Sequence, residues 1–196
     1  MANLGFPPPR ISKYIPIKLE PKPLVFLSLP QREAMYGGAA GGMKTETLLA
    51  AALQYCDIPG YSAVLFRRRL QEHTKPNCLI PRAKKWLAPF FKTGEVSWNG
   101  SGYSLSFKTK NFDGSEGEPS TLSFGYCYNV DTELQYQGAE YQFIGWDEGT
   151  QIKFDDYIYL LSRLRKAICP IHKTIMKFDS TLNKEVAMPN YVDDCF

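Results

Sequence analysis

Tyr36-Gly37-Gly38-Ala39-Ala40-Gly41-Gly42-Met43-Lys44-Thr45 is the stretch on which the reading of this chain turns. Anchored on Lys44-Thr45, it follows the spacing G-x4-G-K-[ST], with Gly38 as the first glycine and Met43 in place of the second. The pattern asks for glycines because the backbone must curl around a polyphosphate and turn its N–H groups inward. A helix expected from Lys44 to about Tyr55 adds the positive end of its dipole. In this reading Gly38, Ala39, Ala40, Gly41, Gly42 and Met43 line the phosphates of ATP. Lys44 reaches the β- and γ-phosphates, and Thr45 holds Mg2+. Met43 puts a side chain where hydrogen is usual, an expected strain of about 1–2 kcal/mol. Its unbranched chain is flexible enough to turn outward. The competing reading is a glycine-rich turn before a helix, with no ligand.

A second stretch bears on the first. Tyr141-Gln142-Phe143-Ile144-Gly145-Trp146-Asp147-Glu148 is an apolar strand closed by two acids. A parallel strand next to the loop places Asp147 beside Thr45, where it holds Mg2+ through water. Glu148 then points at an attacking water as general base. Strands often end in polar residues, so the pair gains its meaning only alongside the loop.

Further out, short apolar strands alternate with helical patterns, which predicts an α/β domain with a mainly parallel sheet. A short strand over Ala34–Gly37 is expected to enter the loop. Ser62–Arg67 (S-A-V-L-F-R) reads as a buried strand with Arg67, Arg68 and Arg69 at its carboxyl end. A helix is expected over Pro81–Phe91. Glu95–Trp98 and Tyr103–Lys108 flank Asn99-Gly100-Ser101-Gly102, a hairpin signal. Thr121–Tyr128 and Thr174–Phe178 are further expected strands. Phe154, Tyr157, Ile158, Leu161 and Leu164 recur at helical spacing. Half of the fourteen prolines lie in residues 1–30, which read as an extended arm before a domain over 31–196.

Composition excludes several classes. Apolar residues make up 44% and charged residues 22%, as in a globular domain rather than a disordered or collagen-like chain. The longest aliphatic run, Leu48–Leu53, is far too short to span a bilayer, and the N-terminus lacks a secretory pattern. Five scattered cysteines, never spaced as CxxC, suit free thiols in a reducing compartment. The net charge of +3 hides an asymmetry. Residues 61–110 carry ten Lys and Arg against two acids, and residues 111–160 one Lys against ten acids. That division suits an anionic partner near a carboxylate-bearing site. Arg82, Lys84 and Lys85 read as solvated charge on a helix, and Trp86, Phe90 and Phe91 as core.

Four segments together resemble a known family: Tyr36–Thr45, Tyr136-Gln-Gly-Ala-Glu140, Ile144-Gly-Trp-Asp-Glu-Gly-Thr150 and Leu161-Ser-Arg-Leu-Arg165. In this order and spacing, over about Pro30 to Arg165, they look like the large terminase subunit of tailed bacteriophages. The resemblance implies a three-layer P-loop ATPase of the additional-strand type with a β-hairpin insertion. It further implies a motor that drives double-stranded DNA into a capsid in the host cytoplasm. The implied partners are a small terminase subunit, a capsid portal and further copies of the chain in a ring. Gln31 falls where such ATPases carry an adenine-sensing glutamine, and Arg67, Arg68 and Arg69 where the family has a functional arginine. After Arg165 no clear Asn-Pro coupling motif follows; Asp179-Ser180-Thr181-Leu182-Asn183 is at most a degenerate version. The chain stops where the family's nuclease domain begins, so DNA cutting is not expected of it. Three rivals stay open: a helicase or recombination ATPase, a nucleotide-binding assembly subunit with hydrolysis impaired by Met43, and a nucleic-acid-binding module whose loop holds backbone phosphates.

Overall fold

In the computed structural model, residues 8–29, 31–38, 41–111, 113–128 and 132–165 are described. They form a mixed α/β fold around a five-stranded sheet of order β2-β3-β4-β1-β5. β1 (Ser62–Arg67) lies at its heart, paired in parallel with β4 (Ser120–Tyr126) on one side and β5 (Phe143–Trp146) on the other. β2 (Val96–Asn99) and β3 (Ser104–Phe107) form the expected hairpin, and β3 runs antiparallel to β4. The sheet is therefore parallel at its centre and antiparallel toward the hairpin edge. Asn99 makes the turn by accepting the Gly102 N–H on its side-chain oxygen at 3.1 Å.

Alternation along β1 divides the interior in two. Ala63 and Leu65 face a cluster built with Leu49, Leu53 and Leu87, from α2 (Lys44–Leu53) and α4 (Leu79–Lys92). Val64 and Phe66 face a second cluster with Tyr136 and Leu160, which bring α5 (Thr132–Gln135) and α6 (Phe154–Leu161) onto the opposite face. A strand covered on both faces reads as a continuous apolar run, which is why S-A-V-L-F-R is legible as one. α3 (Leu70–Thr74) follows β1 directly.

Of the extended course expected for residues 1–30, residues 8–20 carry no helix or strand, and the departure comes at the end. Pro21–Leu27 is a helix, α1, in which the prolines take the first turn, where their missing N–H groups cost nothing. Ahead of it Tyr14 is fully buried, its ring 4.9 Å from those of Phe90 and Phe107. Arg10 clamps Asp57 with two bonds of 2.6 and 2.7 Å.

Ala34–Gly37 is not a strand. A strand needs a neighbour for its ladder, and among the described residues none flanks this segment; Thr174–Phe178 and the Asp179–Asn183 stretch lie outside them. Met35 is 91% exposed. Arg82 is not simply solvated: it pairs with Glu46, tying α4 to α2, while Lys84 stands 4.2 Å over the Trp98 ring. Trp86 is buried and Phe90 and Phe91 pack on the core, as expected. No helix among the described residues is long and apolar enough to cross a membrane.

Candidate functional site

The amino end of α2 and the carboxyl ends of β1 and β5 converge on one edge of the sheet. Two contacts fix the direction of α2. Tyr61, at the amino end of β1, donates its hydroxyl to Ala52 O at 3.2 Å, and Ser120, at the start of β4, donates to Cys56 O. The carboxyl end of α2 thus lies over the amino ends of the parallel strands, and Lys44 and Thr45 over their carboxyl ends. Ligands of open α/β sheets bind at that edge.

Gly145 explains how closely α2 approaches. A Cβ there would stand 2.7 Å from Leu48 Cδ1 and 2.8 Å from Leu65 Cδ2. Thr45 precedes Leu48 by three residues, one helical turn toward the amino end. Asp147 follows Gly145 by two residues, on the same face of the strand. Both residues thus lie toward the same face of the sheet, at its carboxyl edge.

The loop itself is open. Cβ atoms added at Gly37, Gly38 or Gly41 would meet nothing within 4 Å, and Gly38 and Gly41 take φ of 145° and 85°. Lys44 Nζ donates to Gly38 O at 2.8 Å, closing the loop on itself, and Tyr36 donates its hydroxyl to Gly42 O at 3.2 Å. Ala39 and Ala40 lie outside the described residues. Met43 is the N-cap of α2, with left-handed backbone at φ 55° and ψ 23°. It makes no side-chain cap bond, so the first-turn N–H groups face ligand or solvent instead. Its side chain packs against the core. Open space beside the glycines, an uncapped amino end and an adjacent ammonium group suit this loop to a polyphosphate.

The arginines divide. Arg67 bonds Asp147 Oδ2 twice, from Nε at 2.9 Å and Nη2 at 2.6 Å. Its Nη1 donates to Glu72 O at 2.9 Å and to Cys78 Sγ at 3.5 Å. Burial disfavours the Arg67 charge, but the hydrogen bond to Asp147, the Asp147 charge and Cys78 together outweigh it and raise the pKa above the ordinary value. Arg69 donates to the Tyr128 hydroxyl at 3.1 Å, and both Arg68 and Arg69 lie over the Tyr128 ring. Arg67 is thus committed to Asp147, while Arg68 and Arg69 sit at the surface.

Glu148 is exposed, with left-handed backbone at φ 56° and ψ 45°, before a short 3-10 turn over Gly149–Gln151. Both candidate motifs therefore contain a non-glycine residue at positive φ, a form of strain that clusters at functional sites. Gln31 is exposed and lies outside regular structure.

Two features escaped the sequence reading. Tyr157 on α6 donates to Glu33 Oε2 at 2.7 Å, a bond that raises the Tyr157 pKa, and its ring stands 4.7 Å from Trp146. The segment before the loop is thereby tethered to the strand that carries the acids. His73 is fully buried, its Nε2 2.7 Å from Gly125 O. Burial lowers its pKa to about 4, and the Arg67 charge works in the same direction. Only the helical spacing around Tyr157 and a histidine in a basic segment signalled either.

No protein-family model and no curated protein matches the sequence. Solved structures do resemble the fold. The large terminase of a thermophilic bacteriophage is similar at 11% identity and a TM-score of 0.45, over 65% of this chain and 29% of that one. The large terminase ATPase domain of Thermus phage P74-26 is similar at 13% identity and a TM-score of 0.47, over 64% of this chain and 51% of that one. The chain therefore corresponds to about half, or less, of each of these structures.

Proposed function

We propose that this chain is the ATPase motor domain of a viral large terminase subunit, hydrolysing ATP to drive double-stranded DNA into a capsid. The observation that carries the reading is convergence. A glycine-rich loop with an open flank and an uncapped helix lies at the same sheet edge as an Asp-Glu pair closing a buried strand. The four family-like segments supply the packaging part of the reading.

In this reading the N–H groups of the loop and of the first turn of α2 bind the phosphates, and Lys44 takes the β- and γ-phosphates. Thr45 and Asp147 are the groups that would hold Mg2+, which supplies charge neutralisation on the polyphosphate when bound. Glu148 orients the attacking water and accepts its proton. Arg68 and Arg69 are the arginines with room to reach a phosphate or a neighbouring copy. Gln31 reads the base. The carboxyl-edge loops convey loss of the γ-phosphate to the bound DNA.

A second reading has its own observation. Asp147 is engaged by Arg67, as suits a nucleotide-binding assembly subunit with impaired hydrolysis. Steady-state ATP hydrolysis by the purified chain, with and without double-stranded DNA, separates the two. Turnover raised by DNA supports the motor; tight Mg·ATP binding without turnover supports the assembly subunit. Strand separation would move the reading to a helicase.

A further inference from the structure

Of the ion pairs among the described residues, Arg67–Asp147 is the most enclosed. Its side chains are 13% and 9% exposed, against 24% and 25% for Arg82–Glu46, the next. The partners are cross-strand neighbours: Phe66 pairs with Trp146 in the parallel ladder, and the Asp147 N–H continues it to Phe66 O at 2.9 Å. Four hydrogen bonds hold the guanidinium, two to Asp147 Oδ2, one to Glu72 O and one to Cys78 Sγ. Such a fork orients the carboxylate as well as balancing it, and Oδ1 lies outside it.

We propose that Arg67 is the standing counter-charge of Asp147, so that the site admits a divalent cation only together with a polyphosphate. The proposal rests on the nucleotide reading above and adds a positioning residue to it. A hard divalent cation demands about six oxygen ligands and enough negative charge to offset its dehydration. Among the described residues no cluster of three or more His, Cys, Asp or Glu could supply them. The Asp147 charge is cancelled at contact distance by Arg67, and at the same sheet edge the one positive charge of Lys44 offsets the one negative charge of Glu148. A bare cation meets a site of no net attraction. A polyphosphate brings both the missing charge and the missing oxygens, so cation and nucleotide enter as one complex. Arg67 then has a role different from a transition-state arginine: reaching a phosphate would require it to break four bonds and leave a buried carboxylate unpaired.

Mn2+ alone is the probe, followed on the full chain by loss of the free-ion electron paramagnetic resonance signal, with folding checked by near-ultraviolet circular dichroism. Wild type alone is expected to take up no Mn2+ at millimolar concentration. With a non-hydrolysable ATP analogue, which itself binds Mn2+, uptake is read by equilibrium dialysis as Mn2+ held on the protein side in excess of the analogue alone, and wild type is expected to show it. Arg67→Gln is expected to bind Mn2+ without nucleotide at least roughly tenfold more tightly than wild type, because the carboxylate is uncovered. Asp147→Asn in that background is expected to abolish the gain, and Arg67→Lys, which keeps the charge, to stay silent. Saturable Mn2+ binding by wild type without nucleotide would overturn the proposal, and does so even if Arg67→Gln fails to fold. So would a folded Arg67→Gln that binds Mn2+ no better than wild type. Silence of wild type with the ATP analogue present would instead overturn the nucleotide reading beneath it.

Discussion

Leu48 of α2 and Gly145 of β5 pack so closely that a methyl group on Gly145 would stand 2.7 Å from Leu48 Cδ1. Leu65, fully buried, closes the other side at 2.8 Å, while Leu48 is half-buried, so the strain falls mainly on Leu65. Gly145→Ala is therefore expected to destabilise the fold by about 1–3 kcal/mol through overpacking. Urea unfolding checks this, and an unchanged midpoint would show that α2 does not lie against the strand as described.

Met43 sits where glycine is favoured over alanine on two counts. Glycine is the better of the two at an N-cap, and at φ 55° the alanine Cβ is strained whereas glycine has none. Both substitutions forfeit the packing of the methionine side chain on the core. Met43→Gly is accordingly expected to be more stable than Met43→Ala by about 1 kcal/mol. Thermal unfolding of the two variants side by side decides it; the opposite order would mean that residue 43 is not left-handed in solution.

Removing only the proton acceptor should separate binding from chemistry. Glu148→Gln keeps the size of the side chain and its exposed position, so Mg·ATP binding is expected to stay within a few-fold. Turnover is expected to fall by about 10²–10⁴. Survival of turnover in this variant would remove Glu148 from the mechanism.

His73 makes stability depend on pH. Folding lowers its pKa from 6.5 to about 4, so the folded chain binds fewer protons than the unfolded chain between those values. The contribution is complete above about pH 6.5 and is lost progressively as pH falls toward 4. At pH 5 the expected loss is roughly 2 kcal/mol, of which His73→Gln, which cannot titrate, should be relieved. Urea midpoints at pH 7 and pH 5 measure it, and equal pH dependence in both proteins would contradict it.

Local chemistry made much of this molecule readable in advance. Ser62–Arg67 announced itself as a buried strand, Asn99-Gly100-Ser101-Gly102 as a turn, and Asp147-Glu148 as an acidic strand end. What stayed hidden depended on pairing across long separations. Arg67 and Asp147 lie 80 residues apart, and only the β1–β5 register makes them partners. The need for glycine at 145 arises from a helix almost a hundred residues earlier. Proline content pointed to an extended arm because it takes no account of position: Pro21 and Pro23 are compatible with a first helical turn, where α1 places them. Ala34–Gly37 has the composition of a strand, but composition supplies no neighbour.

The central claim is that the loop from Gly37 to Thr45 holds a polyphosphate, and calorimetric titration of the full chain and of Lys44→Ala with Mg·ATP tests it most directly. Wild type is expected to bind with one-to-one stoichiometry, and Lys44→Ala, deprived of the ammonium group that now closes on Gly38 O, at least roughly tenfold more weakly. No binding by wild type, or equal binding by both, would contradict the assignment of this loop.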